Sequence, residues 1–172
     1  MTERGKALIR KWEGCKLVAY KCPAGVWTIG YGNTEYADGT KVKEGDKIDQ
    51  VTANRLFDLI LEKFEKQVRM LLGDTLVAIL PKEAIDALIS WAYNLGINNL
   101  SKSTMLKKIK VNRLDFEGIE TEWMKWVYAG GKVLQGLVNR RKDEYQMYFN
   151  AVIGQYTPAE AYNLGKYGKI KR

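Results

Sequence analysis

The sequence predicts an α+β fold that is mainly helical, in which a small three-stranded antiparallel sheet lobe is joined by a long helix to a helical lobe. Three patterns carry that prediction. Leu56, Leu59, Ile60, Phe64, Val68, Leu71 and Leu72 recur at helical spacing, the mark of one long amphipathic helix. Around Pro23-Ala24-Gly25 the apolar positions alternate instead (Leu17, Ala19, then Val26 to Ile29), as they do in a β-hairpin. Between Pro81 and Gly96, the set Ala84, Ile85, Leu88, Ile89, Trp91, Ala92 and Leu95 leaves little polar face, which suits a helix buried on all sides.

Taken in order, Thr2 is placed to cap a first helix whose apolar face is Leu8, Ile9 and Trp12, and Gly14 falls just past its end, where a residue free to adopt positive φ is favoured. The hairpin follows, and Asp38-Gly39 marks a further tight turn that brings in the third strand. Thr52 is the expected cap of the long helix and Gly73 its stop; about 21 residues at 1.5 Å each span roughly 30 Å, enough to cross the molecule. Pro81 opens the buried helix and Gly96 closes it. Ser103 or Thr104 caps a short helix through Ile109, and Asp115 opens another carrying Trp123, Trp126 and Val127, with Gly130-Gly131 as its stop. The last long helix is expected from about Leu134 to Val152, with Leu137, Val138, Arg141, Tyr145, Tyr148, Phe149 and Val152 on its inner face. A helical turn from Pro158 to Leu164 precedes a basic, Gly-containing tail expected to be frayed surface. The 172 residues fit one domain, with lobes at 14–51 (sheet), 52–72 (connecting helix), and 1–13 with 73–172 (helical).

Composition narrows the function. The chain is 46% apolar and carries a net charge of +8, so it folds and attracts polyanions. Its cations are dispersed among acids and no nucleic-acid-reading motif is present, which argues against DNA or RNA. No apolar run reaches the length of about 18 residues that spans a bilayer, and Met1 to Gly5 opens an amphipathic segment rather than a secretion signal. A soluble monomer without stable membrane insertion is expected. With no histidine in the chain, a Ser-His-Asp triad, a His-assisted cysteine protease and the usual His-containing zinc site are all excluded, and no metal or cofactor is expected.

The chemistry concentrates in residues 13–34, EGCKLVAYKCPAGVWTIGYGNT. Glu13 stands at the last turn of the first helix, where the negative end of the helix dipole disfavours its charge by about 0.3–1 kcal/mol; with desolvation by aromatics such as Trp12, that raises its pKa toward a general acid's. Pairing centred on Gly25 sets Cys22 directly opposite Thr28 on one face. Gly30 and Gly32 continue that face without side chains, leaving a groove for a bulky ligand. Taken singly, Glu13 reads as a solvated helix-end residue and Cys22 as a small core residue. Their combination is what points to a site.

The spacing Glu13, eight residues, Cys22, five residues, Thr28 resembles the phage-type lysozymes and endolysins of glycoside hydrolase family 24, whose pattern is Glu-x8-Asp/Cys-x5-Thr. The resemblance continues through ALISWAYNLG (87–96), KSTMLKKI (102–109) and W-x-x-W-x-x-A-x-G-K-V-L-x-G-L-V-N-R-R-x-x-E (123–144), nearly the whole chain. Cys22 stands where many members have Asp, and Asn33 where many have His. The resemblance implies a lysozyme-like fold and a cofactor-free muramidase that hydrolyses β-1,4 bonds between N-acetylmuramic acid and N-acetylglucosamine. Its partner is peptidoglycan, reached from the cytoplasm through a separate membrane-permeabilising protein; a mature fragment whose leader was removed is the alternative.

By the same resemblance Glu13 is the proton donor, Cys22 the second catalytic group as base or nucleophile, and Thr28 the hydroxyl that orients water or thiol. Asn94 matches a substrate-facing amide, with helix capping beside Gly96 as its plainer reading. Arg140 matches a guanidinium that holds the catalytic Glu; otherwise it is a solvated arginine. Tyr20 and Trp27 either stack on sugars or fill the core. A lytic transglycosylase, which needs one carboxyl group, and a catalytically weak wall-binding module are the competing functions. Cys15 and Cys22 are the only cysteines; two free thiols are the plain expectation, and a redox switch through a Cys15–Cys22 bond is the sharper one.

Overall fold

The computed structural model describes residues 1–166; the basic tail at 167–172 lies outside them. Helix α1 (Glu3–Glu13) begins where the Thr2 hydroxyl accepts the Gly5 amide and ends at Gly14, whose φ is +64°. Strands β1 (Lys16–Lys21) and β2 (Trp27–Gly30) form the hairpin. Helix α2 (Gln50–Leu72) follows, then α3 (Asp74–Ile79), α4 (Lys82–Leu95), α5 (Ile97–Lys102), α6 (Thr104–Val111) and α7 (Phe116–Trp123). A minimal second hairpin, β3 (Tyr128–Ala129) and β4 (Lys132–Val133), leads into α8 (Gln135–Ile153) and α9 (Pro158–Lys166).

Helix α4 is the centre of the core. Every residue from Ala84 to Ala92 is buried, with α8, α2 and α1 packed around it. Two polar residues on it are satisfied internally. Asp86 accepts from the Thr2 amide (2.9 Å) and hydroxyl (2.6 Å), which ties α1 to the core, and Ser90 donates to Glu144 (2.7 Å). The sheet segment rests on α2: Ile29 is buried, the Tyr31 ring lies 4.7 Å from that of Phe57, and Asn33 Nδ2 donates to the Leu56 carbonyl at 3.2 Å. Tyr93 on α4 closes the other side by donating to the Tyr31 carbonyl (2.6 Å).

Several local expectations are corrected. The sheet has two strands, not three. Its third member is reduced to a single bridge between Val18 and Lys47, because the intervening chain is spent on turns: Asp38 Oδ1 accepts from the Thr40 amide and hydroxyl, and Asp46 Oδ2 from the Lys43 amide and Tyr36 hydroxyl. Helix α2 is capped by Asp49, which accepts the Thr52 amide at 2.7 Å, so Thr52 lies within the helix. Helix α7 stops at Trp123, leaving Trp126 and Val127 outside it. Gly130 and Gly131, with φ of +56° and +75°, form the two-residue turn of a hairpin that demands positive φ at both positions, rather than a helix stop. The short helices α3 and α5 are additional; each holds only six residues, too few for the periodic signal to register.

Candidate active site

Glu13 is the last residue of α1, and Gly14 at positive φ turns the chain into β1. Its carboxylate meets Arg140 of α8, whose Nη1 donates to Oε1 at 2.7 Å. Arg140 is no solvated arginine: its side chain is 5% exposed, its Nε donates to Glu144 Oε1 at 3.0 Å and its Nη2 to the Ser90 carbonyl at 3.3 Å. Arg141 lies beside it, fully buried, donating from Nη2 to Glu144 Oε1 and to Asn94 Oδ1, both at 3.0 Å. Its Nε comes within 2.8 Å of Glu144 Oε2 without hydrogen-bond alignment, and its Nη1 has no partner. Asn94 thus serves neither as a helix cap nor as an isolated amide, since its oxygen is held by a buried cation. Burial pushes the Glu144 carboxyl upward and the Arg141 guanidinium downward, and each is partly offset by the other's charge.

The hairpin supplies the other half. Tyr20 pairs with Thr28 and Lys21 with Trp27, while Cys22 donates its amide to the Val26 carbonyl at 3.0 Å. Pairing is therefore centred on Ala24, with Gly25 at φ +77° closing a three-residue loop that needs positive φ at its last position. Cys22 and Thr28 are diagonal neighbours on a common face, not direct partners. The Thr28 hydroxyl lies 3.0 Å from the Val26 carbonyl and within reach of the Cys22 sulfur. Backbone amides of Val26 and then Ala24 favour the thiolate and hold the Cys22 thiol below its ordinary pKa, with the Thr28 hydroxyl adding to them.

Tyr20 links the two halves. Burial raises its phenol first, and the negative charges of Glu13 and of Cys22 raise it further. It is 37% exposed, as a cleft side chain would be rather than a core one. Tyr93 is raised by burial above all, then by Glu13. Trp27 is half-buried beneath Lys21, 5.2 Å from its ring centre. Gly30 does not leave an open groove, because a Cβ there would meet Asn33 Oδ1 at 3.3 Å; its bareness admits Asn33. Among the described residues no cluster of three or more Cys, Asp or Glu side chains is placed to hold a metal. A groove of about 490 Å³ lined by Leu72, Leu76, Ile79, Ile109 and Val111 shares none of the site residues.

Residues 10–144 match the phage lysozyme family along their length. The chain belongs to that family. An endolysin of Acyrthosiphon pisum secondary endosymbiont phage 1 is 36% identical over 155 residues, covering 88% of this chain and 99% of that one. The solved endolysin of Escherichia coli O157:H7 phage FAHEc1 superposes with a TM-score of 0.76 at 32% identity, over 88% of this chain and 94% of its own. The muramidase domain of SpmX from Asticaccaulis excentricus gives 0.72 at 26% identity, over 86% of this chain and 95% of that one. This phage lysozyme is accordingly a glycoside hydrolase of family 24 with a muramidase role in peptidoglycan degradation, and its mostly helical lysozyme fold with a small antiparallel sheet is that of the solved endolysins.

Cys15 does not join the site. It packs against the core near Gln50 Nε2 (3.8 Å), while Cys22 lies past the far end of β1, and both are free thiols. An extended strand at about 3.3 Å per residue holds their Cα atoms roughly 20 Å apart, against the limit of about 7 Å for a disulfide. The structure therefore rules against a Cys15–Cys22 switch. Sequence reasoning passed over Ser90 and Glu144, and took Arg141 for a core-facing position without assigning it a partner. The available signal was three charged residues, Arg140, Arg141 and Glu144, set into the apolar stripe of α8.

Proposed function

We propose that this phage lysozyme hydrolyses the β-1,4 bond between N-acetylmuramic acid and N-acetylglucosamine, with Glu13 donating the proton to the leaving oxygen and Cys22, as thiolate, activating the attacking water. The observation that carries the reading is the position of Glu13. It ends a helix, is gripped by Arg140 at 2.7 Å, and faces a hairpin whose tip amides favour a thiolate. Cleavage of a glycosidic bond needs a proton donor and a second group on the opposite side of the sugar. Thr28 orients the water or the thiol, Tyr20 lines the space between the two groups, and Asn94 presents its amide to the glycan from α4.

Water activation by Cys22 inverts the anomeric centre. Proton NMR of products released from a soluble glycan should show the α-anomer first; initial β-anomer would instead make Cys22 a covalent nucleophile. Hydrolysis leaves reducing ends, whereas anhydro-sugar ends would belong to a transglycosylase and would overturn the reading. No helix among the described residues is long and apolar enough to cross a membrane. The enzyme acts as a monomer on the wall after release from the cytoplasm by a separate permeabilising protein, which sedimentation and fractionation of producing cells would test.

A further inference from the structure

Glu144 is the buried carboxylate behind Arg140, the residue that grips Glu13. Its side chain is 0% exposed. Oε1 accepts from Arg140 Nε (3.0 Å), Arg141 Nη2 (3.0 Å) and the Ser90 hydroxyl (2.7 Å), and Oε2 from the Trp123 indole (3.4 Å), with Arg141 Nε alongside at 2.8 Å. Arginine and indole nitrogens can only donate, so this surround, in which the Ser90 hydroxyl alone could also accept, suits a carboxylate.

The cluster thus holds two cations, Arg140 and Arg141, and two anions, Glu144 and Glu13. Buried charges are tolerated when they balance. Glu13, with a side chain 21% exposed, is the member of the four open to solvent. The groups facing it are Arg140, and at longer range Arg141, from α8, Tyr20 from β1 and Tyr93 from α4. The Lys11–Asp143 pair (2.6 Å) sits at the α1–α8 contact as a self-neutralised couple. Those facing Glu144 are the two arginines of its own helix, Ser90 from α4 and Trp123 from α7.

We propose that Glu144 is a positioning residue for the reaction: it neutralises one of the two buried guanidinium charges and fixes Arg140, so that Glu13 is held in place without being locked as a carboxylate. This rests on the assignment of Glu13 as the acid. Without Glu144, two guanidiniums face Glu13 alone, and loss of its charge on protonation becomes unfavourable. Without Arg141 the imbalance reverses.

The test is the titration of the Glu13 carboxyl, followed by carbon NMR of protein labelled at glutamate carboxyls and assigned by the signal missing from Glu13→Gln. Glu144→Gln should lower its midpoint by about one pH unit, the size expected of one unbalanced charge at an effective dielectric near 20, and should lower wall lysis at least tenfold. Arg141→Met should raise the midpoint, and the double variant, again balanced, should return it toward the parent. Should Glu144→Gln fail to fold, Arg141→Met and the double variant still carry the test. Midpoints that do not move in opposite directions in folded single variants, or that are not restored in the double, overturn the proposal. Retained lysis by Glu13→Gln would sink the acid assignment instead, and the titration would still report the coupling.

Discussion

The two halves of the proposed active site are built on opposite principles. Glu13 is partly exposed but anchored by long-range contacts: Arg140 reaches it across 127 residues of chain, and Glu144 and Ser90 hold Arg140 in turn. Cys22 is anchored by its neighbours. Its environment is a three-residue loop of exposed Pro23, Ala24 and Gly25, and the groups that favour its thiolate are the amides of Val26 and Ala24. The acid's environment is thus a property of the packed core, sensitive to substitutions far away in sequence, whereas the thiol's belongs to one turn. The difference suits the tasks proposed for them. A proton donor must keep a fixed position against the leaving oxygen, while a group that acts on water works from the wet side of the cleft.

The comparison breaks most sharply at the acid. Glu13→Gln should reduce lysis of wall suspensions by about 10²–10⁴-fold, the range for loss of a general acid, with folding unchanged by circular dichroism. Substantial lysis by the pure folded variant would refute its role. On the same side, Arg140→Ala leaves two carboxylates without their shared cation. It should lower stability by about 3–5 kcal/mol, the range for breaking a buried ion pair, read as a fall in the urea midpoint; a loss below about 1 kcal/mol, as at a surface pair, would deny that the acid side is core-anchored.

Substitutions on the hairpin should change chemistry and spare stability. Cys22→Ala should lose most activity with little change in urea midpoint, and Cys22→Asp should keep it. The pH dependence gives a sharper distinction. The thiolate is lost as pH falls through the Cys22 pKa, which the turn amides lower from the thiol range, whereas an aspartate near 3.9 stays ionised well below that. Lysis by Cys22→Asp should therefore extend to lower pH than lysis by the parent, and coincident acidic limbs would remove Cys22 from the role of base. The smallest effect is expected at Cys15. Cys15→Ser should match the parent both in lysis and in inhibition by diamide, and protection from diamide would show that the strand between the two thiols opens in solution.

What the sequence determined by itself was whatever neighbours along the chain decide. Thr2 and Gly14 bound the first helix as their cap chemistry requires, Pro81 and Gly96 bracket the buried one, and Glu13, Cys22 and Thr28 stand out because a helix end and a tight turn are local events. The tertiary structure alone decided the rest. Hairpin register depended on which loop residue took positive φ, so Thr28 pairs with Tyr20 rather than Cys22. The third strand gave way to Asp38 and Asp46 turns, and an extended β1 kept Cys15 away from the chemistry. The joining of Glu13, Ser90, Asn94, Arg140, Arg141 and Glu144 follows from how α1, α4 and α8 cross. Partners for buried charges are chosen by the need to satisfy one another out of water, and that need arises only once distant helices have excluded it.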